Sequence, residues 1–374
     1  MISMGVLKEL DGLKKHNNPD IGTKARRAAI YISRNIDKIH WDIKEREGTV
    51  DEQLIDITNE NEGTLITNDV YLKVQATLQE VPNNGFSIKS NYDGVYYWNV
   101  DLNSDEDNQK LNDIYESNTP PISMIENQYL IIQNKETGET IEIYRYSEDS
   151  LKKVGYGKIK NNYIGTITPR NSEQRCLFDA LKNKNISIIY AGGKFGTGKS
   201  LLLNNFALEE LEKGNIDKIV YVPNNAYVAN TIDQGALPGE ILEKTIGQLG
   251  PLNDLIGIDR IKQMLAYNQL EVVPMGYIRG RSFNNSIVIV NEAQNLTEDH
   301  IKLLIARCGD GTRIFFDGDI KQTDSQLFKN KNGLKLLLKL SESEIFSKIF
   351  SAVILKKVER SQVAQAADYL DEIS

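Results

Sequence analysis

The chain is poor in residues that staple a fold covalently or through a metal. Its 374 residues include two cysteines and three histidines. Cys176 and Cys308 lie far apart, form no CxxC pair and have no histidine cluster nearby, which argues against a zinc site and leaves reduced thiols as the expectation. No apolar run approaches the roughly 20 residues that a bilayer-spanning helix needs. The opening MISMGVLKELDGLKK lacks the long apolar core and small-residue cleavage site of a secretory signal. A cytoplasmic location with no membrane attachment is expected. Positive charge is also in deficit, with 44 Lys and Arg against 52 Asp and Glu and a net charge of -8. A polyanionic partner would have to use a local basic strip. The candidates are Lys24, Arg26 and Arg27, then Lys152, Lys153, Lys158 and Lys160, then Arg279 and Arg281.

What is present suits two domains with ordinary cores, since 40% of residues are hydrophobic and 26% charged. In the first stretch, Gly22 to Ile36 places Ala25, Ala28, Ala29 and Ile32 on one helical face. GTLITND, Gly63 to Asp69, reads as a short buried strand, and VYLKVQATLQ returns to helical spacing, so strand, turn and helix make a crossover unit. The polar stretch from about Asn99 to Thr119, followed by Pro120 and Pro121, reads as a boundary. ENQYLIIQN and ETIEIYRY then read as two strands of a small β connector, turning at Lys135 to Gly138. This gives a first domain over residues 1–100, a linker and connector over 101–165, and a second domain over 166–374.

The second domain alternates regularly. ISIIYA, KIVYV, SIVIV, RIFF and AVILKKV read as buried strands. The helix SLLLNNFALEELEKG stops at Gly214, TEDHIKLLIARC is capped by Thr297, and GLKLLLKL is a third helix. Apolar strands alternating with helices imply a parallel sheet covered on both faces. Between the first strand and its helix lies Gly193-Lys194-Phe195-Gly196-Thr197-Gly198-Lys199-Ser200. It fits G-x-x-x-x-G-K-[ST] in full, against about 0.01–0.02 chance matches in a chain of this length. Gly193, Gly196 and Gly198 let the main chain, Thr197 included, turn its N–H groups toward phosphate oxygens. Lys199 can reach the β and γ phosphates, and Ser200 can ligate Mg²⁺. SIVIV is followed by Asn291 and Glu292. The usual pair there is Asp-Glu, the first orienting Mg²⁺ and the second polarising the attacking water. Glu292 is placed as general base. Asn291 can hold a metal-bound water but adds no charge, so turnover is expected to be slower or to need a compensating acid. Asp319 and Gln322 follow RIFF and can sense the γ-phosphate or its water.

From about Ile167 onward the chain resembles the PhoH-like ATPases, relatives of the superfamily-one helicase cores. The resemblance runs through PRNSEQ, GKFGTGKS, GALPGEILEK, YIRGRSF, VNEAQNLT, GDIKQTD and ERS, in order. It implies a RecA-like P-loop NTPase using ATP and Mg²⁺, with Gln174 reading the adenine edge. Arg360 would be an arginine finger or γ-phosphate sensor, and Arg279 and Arg281 would lie on the nucleotide or nucleic-acid face. It also implies RNA as partner and a homo-oligomeric ring in which Arg360 completes a neighbour's site. The family usually carries Arg-Pro after the second strand, where this chain has Pro223-Asn224-Asn225.

The first hundred residues resemble an α/β PIN-type nuclease domain through GVLKELDGLKK, GTKARRAA, VDEQLID and LITNDVYLKVQA. The resemblance carries metal ligands onto Glu9, Asp51 and Asp69, which would hold Mg²⁺ or Mn²⁺ for phosphodiester cleavage. The fold's first strand, with its leading Asp, has no counterpart ahead of the Glu9 helix, so either the start was placed too far downstream or the nuclease is degraded. The sequence thus supports an ATPase coupled to RNA binding, unwinding or degradation. The second reading is a nucleotide-switched RNA- or protein-binding module with little turnover. A small-molecule kinase, the third, would need a phosphate-acceptor lid that the segment order does not suggest.

Overall fold

Local sequence signals set most of the element boundaries. The computed structural model describes residues 2–15, 19–34, 36, 39–44, 46–67, 69–84, 92–223, 249–322 and 332–359. The chain divides into two units, Met1–Asn91 and Tyr92–Ser374. Among the described residues, no helix is long and apolar enough to cross a membrane.

The first unit runs β1 (Ile2–Ser3), α1 (Met4–Leu13), α2 (Pro19–Arg34), β2 (Trp41–Asp42), α3 (Val50–Glu60), β3 (Leu65–Ile66), α4 (Val70–Leu78) and β4 (Asn83–Asn84). β1 pairs in parallel with β2, and β3 with β4. A capping box between Thr49 and Glu52 starts α3. The core gathers Ile55, Leu65, Leu72, Ala76 and Val81. The strand expected to be buried is buried on one side only, since Ile66 is 56% exposed.

The second unit opens with β5 (Val95–Val100), α5 (Asp105–Ser117), β6 (Tyr129–Asn134), β7 (Thr140–Ser147) and β8 (Ser150–Lys153). The strands form a sheet in the order β5-β6-β7-β8. This departs from the expectation in two ways. Residues 95–100, grouped with the first domain on sequence, pair in parallel with β6. The polar stretch read as a boundary contains α5, capped by Ser104, with Asp105, Glu106 and Asp107 suiting its positive end. Only Leu111 and Ile114 of that helix are buried, so its composition resembles a linker although its apolar stripe packs on the sheet.

After a hairpin of β9 (Ile159–Asn161) and β10 (Gly165–Ile167), α6 (Ser172–Lys182) leads into the principal sheet. There follow β11 (Ile188–Gly192), α7 (Lys199–Glu212), β12 (Lys218–Val222), α8 (Gly250–Ile256), α9 (Ile258–Ala266) and β13 (Leu270–Val272). β14 (Ser286–Val290), α10 (Glu298–Ile305), β15 (Arg313–Gly318), α11 (Gly333–Leu338) and β16 (Phe350–Ile354) complete it. The six strands are parallel, in the order β13-β12-β14-β15-β11-β16. Alternate side chains of each strand go to opposite faces. Ile189 and Phe315 pack with Leu177 and Phe206 from α6 and α7, while Val288 and Phe316 pack with Ile301, Leu304 and Leu334 from α10 and α11. Helices on both faces of a parallel sheet, with β15 inserted between β11 and β14, define a RecA-like α/β fold. Gly214 ends the α7 segment at φ +69°, and Thr297 caps α10 by accepting from the His300 N–H.

Asn127 joins the four-stranded sheet of this unit to the six-stranded one. Its amide donates to the carbonyls of Ser347 at 2.9 Å, Lys348 at 3.1 Å and Phe350 at 3.3 Å, and its oxygen accepts from Arg145 at 3.0 Å. Asn127→Ala leaves these buried groups unsatisfied and is expected to cost about 2–3 kcal/mol. Urea unfolding of the intact chain measures this, and a change below about 0.5 kcal/mol would contradict it.

Candidate functional site

The turn from β11 into α7 requires glycine at defined points. Gly193 has φ +125°, and a Cβ there would sit 2.0 Å from the Leu355 carbonyl oxygen. Gly198 has φ +92°, with the Gln174 amide 3.0 Å from where its Cβ would be. Freed of side chains at these points, the loop closes tightly ahead of the start of α7. Thr197 is fully buried, and its hydroxyl donates to the Lys194 carbonyl at 3.0 Å. The Lys199 ammonium folds back over the loop, donating to the carbonyls of Gly193 at 2.7 Å and Lys194 at 3.0 Å.

A cleft opens over this loop. It draws Lys199 and Ser200 from α7, Glu292 and Gln294 from the turn after β14, and Asp317, Asp319 and Gln322 from the end of β15. Gly196 and Gly198 line it as well. All three strands end at the same edge because they are parallel. Glu292 adopts the left-handed conformation, φ +51°, and its carboxylate accepts a hydrogen bond from the Gln294 amide. The Gln294 oxygen in turn accepts from the Asp319 N–H at 3.3 Å. Asp319 accepts from the Lys321 N–H at 2.9 Å. Gln322 has a buried carbonyl oxygen with no partner among the described residues. The Ser200 hydroxyl donates to Asp317, whose other oxygen is 3.9 Å from the Lys199 ammonium. Burial pushes the Asp317 carboxyl up to about 6, with Lys199 and the Ser200 hydroxyl pulling it down and Glu292 adding to the rise.

Other expected site residues lie elsewhere. Asn291 does not line the cleft, and its N–H donates to the Val222 carbonyl at 3.1 Å. Gln174 lies behind the loop, accepting from the Arg170 N–H at 2.9 Å and donating to the Thr197 carbonyl at 3.0 Å, so its amide braces the loop. Arg360 and the GALPGEILEK segment are outside the described residues. Glu359, just before Arg360, donates its N–H to the Gly196 carbonyl at 3.1 Å. Arg281 pairs with Glu271, which also holds Lys218. Gln294 and Asp317 were passed over in the sequence, although both stand inside recognised segments, VNEAQNLT and RIFFDGDIKQTD.

In the first unit, Glu9, Asp51 and Asp69 do not come together. Among the described residues no group of three or more His, Cys, Asp or Glu could hold a metal. Asp69 caps α4, its carboxylate accepting from the N–H groups of Tyr71 at 2.8 Å and Leu72 at 3.0 Å. Asp51 belongs to the first turn of α3, where an acid suits the helix dipole. Glu9 borders a pocket with Asp42, but Arg46 already pairs with Asp42 at 2.8 Å and with Glu60 at 2.7 Å.

A parallel sheet in this order, with a glycine loop before α7 and a carboxylate in the same cleft, is the arrangement of the P-loop NTPase fold. The PhoH-like protein family profile matches residues 166–370, and the chain belongs to that family. It is 32% identical over 235 residues to protein PhoH2 of Mycolicibacterium smegmatis, covering 60% of this chain and 52% of that one. It is 33% identical over 220 residues to protein PhoH2 of Bacillus subtilis, covering 56% and 49%. The chain spans about half the length of these two relatives. Among solved structures, the Pif1 helicase from Candida albicans overlaps 55% of this chain and 44% of its own at 17% identity, with a TM-score of 0.30.

Two outcomes follow from the geometry. Gly193→Ala is expected to cost about 1–3 kcal/mol from backbone strain alone and to abolish nucleotide binding. Calorimetric melting and a binding titration read the two effects, and wild-type values in both would contradict the loop geometry. Because the folded Asp317 holds its proton up to about pH 6 against 3.8 for the ordinary group, the folded state binds more protons between those values. Stability of the nucleotide-free chain therefore falls as pH rises through that window. Asp317→Asn is expected to remove this component, which urea titrations at pH 4 and pH 7 would detect.

Proposed function

We propose that the chain binds ATP with Mg²⁺ in this cleft, hydrolyses it, and couples hydrolysis to RNA binding, unwinding or degradation. The observation that carries the reading is the meeting of Lys199, Ser200 and Glu292 in one cleft. The loop N–H groups and the start of α7 would hold the phosphate oxygens. Lys199 would exchange the Gly193 and Lys194 carbonyls for phosphate. The cleft's donors near Ser200 are hydroxyl and carboxylate oxygens, which fit a hard cation. Mg²⁺ would there supply charge neutralisation for the phosphates. Glu292, held by Gln294, would orient the attacking water and accept its proton. The Gln322 oxygen, without a partner among the described residues, is suited to the same water, and Asp319 fixes the turn that carries it. Gln174 would meet adenine only by releasing the Thr197 carbonyl. Arg360 would act across a homo-oligomeric ring.

RNA coupling rests on the PhoH-like resemblance. The neutral Asn291 favours one other reading, a nucleotide-switched RNA- or protein-binding module with little turnover. In either case we infer that the first unit does not cleave RNA through Glu9, Asp51 and Asp69. Mn²⁺-dependent cleavage abolished by Asp69→Asn would overturn that.

ATPase assays with and without RNA test the proposal. Glu292→Gln is expected to keep ATP binding and to lose about 10²–10⁴ in turnover, the scale of a positioned general base. Lys199→Ala is expected to lose both. An RNA-independent rate together with no RNA binding would remove the RNA component. A wild-type rate indistinguishable from Glu292→Gln would favour the switch.

A further inference from the structure

A P-loop site needs a carboxylate beside the loop hydroxyl to hold the cation that bridges the phosphates. The residue after β14, its usual source, is Asn291. An amide brings no charge to a divalent cation, and Asn291 lies outside the cleft lining. The neighbouring strand offers an acid at the same height. The parallel register pairs Val290 with Phe316, and one further step sets Asn291 level with Asp317. Adjacent strands are about 4.8 Å apart, so an acid displaced sideways by one strand keeps its level at the sheet edge. β15 lies between β14 and β11, and Asp317 pairs with Ala191, two residues ahead of Gly193.

Its side chain is also on the correct face. Phe315 packs against Phe206 of α7, with ring centroids 6.1 Å apart. Residues two apart on a strand share a face, so Asp317 is on the α7 side, where Ser200 lies in the first turn of the helix. Asp317 is 5% exposed, and it is the acid that accepts the Ser200 hydroxyl. Asp319, the other acid at the end of β15, bonds to the Lys321 N–H in a turn of its own.

We infer that Asp317 is the cation-organising carboxylate of this site, doing from β15 what Asn291 cannot do from β14. This rests on the reading of the cleft as a Mg²⁺–ATP site. One hydroxyl and one carboxylate suffice, because Mg²⁺ is usually held by one or two carboxylates with phosphate oxygens and water. Glu292 then keeps its separate role at the water, and the acid that a charge-poor Asn291 calls for is already in place.

The test is Mn²⁺ affinity in the presence of ADP, read by electron paramagnetic resonance on the full chain. Asp317→Asn is expected to weaken Mn²⁺ about tenfold or more, the scale on which metal-site residues act, while metal-free ADP affinity is not weakened. Mn²⁺ affinity in Asp317→Asn equal to wild type overturns the inference, as does a parallel loss of metal-free ADP affinity, which marks a merely structural role. Should Asp317→Asn fail to fold, Asp317→Glu decides by the same reading: weakened Mn²⁺ supports the inference and unchanged Mn²⁺ overturns it. If the wild-type chain binds no ADP at all, the nucleotide reading itself fails. If wild type and Asp317→Asn bind Mn²⁺–ADP alike, only the present inference does.

Discussion

The loop between β11 and α7 must turn back on itself within a few residues, and the architecture around the cleft follows from that turn. At Gly193 the main chain runs so close to β16 that even a methyl group would overlap the Leu355 carbonyl. The loop is then held from three sides. Gln174 grips the Thr197 carbonyl, the Glu359 N–H grips the Gly196 carbonyl, and the Leu355 N–H meets the Gly192 carbonyl at 2.8 Å. These contacts come from segments far apart in sequence. A loop so braced has little conformational freedom left to lose when an anion arrives.

The sheet order determines what faces that point. A parallel sheet brings every carboxyl end to one edge, and the insertion of β15 between β11 and β14 puts two different strand ends opposite the loop. One delivers Glu292 in a left-handed turn, steadied by Gln294. The other delivers Asp317 beside Ser200 and Lys199. Placing a carboxylate where water is scarce disfavours its charge, and the shared surroundings of Lys199 and Asp317 soften that cost without removing it. A polyphosphate–cation complex has the opposite charges on offer at both groups.

Much of this was legible in the sequence because it is local. The glycine loop, the Thr297 cap and the stop at Gly214 depend on a few adjacent residues, and the structure bears them out as elements. The sheet strands were legible because burial on both faces leaves continuous apolar runs. What escaped depends on tertiary context. Asp317 is one Asp among many until the register sets it level with Asn291. Gln174 has both polar ends engaged by the loop's own neighbourhood, which no motif records. The α5 segment was mistaken for a boundary because an exposed helix with two buried side chains has a linker's composition. In the first unit, carboxylates matched by sequence order are spent locally, with Asp69 capping the start of α4 and Asp51 in the first turn of α3.

The most direct measurement is a crystal structure of Glu292→Gln with ATP and Mg²⁺, a pairing chosen so that nucleotide persists. The account requires the triphosphate to lie against the N–H groups from Gly193 to Lys199, with the residue 292 side chain facing the γ-phosphate across the sheet edge. Nucleotide bound elsewhere, or a loop that stays closed on Lys199 with the triphosphate outside it, would contradict the account.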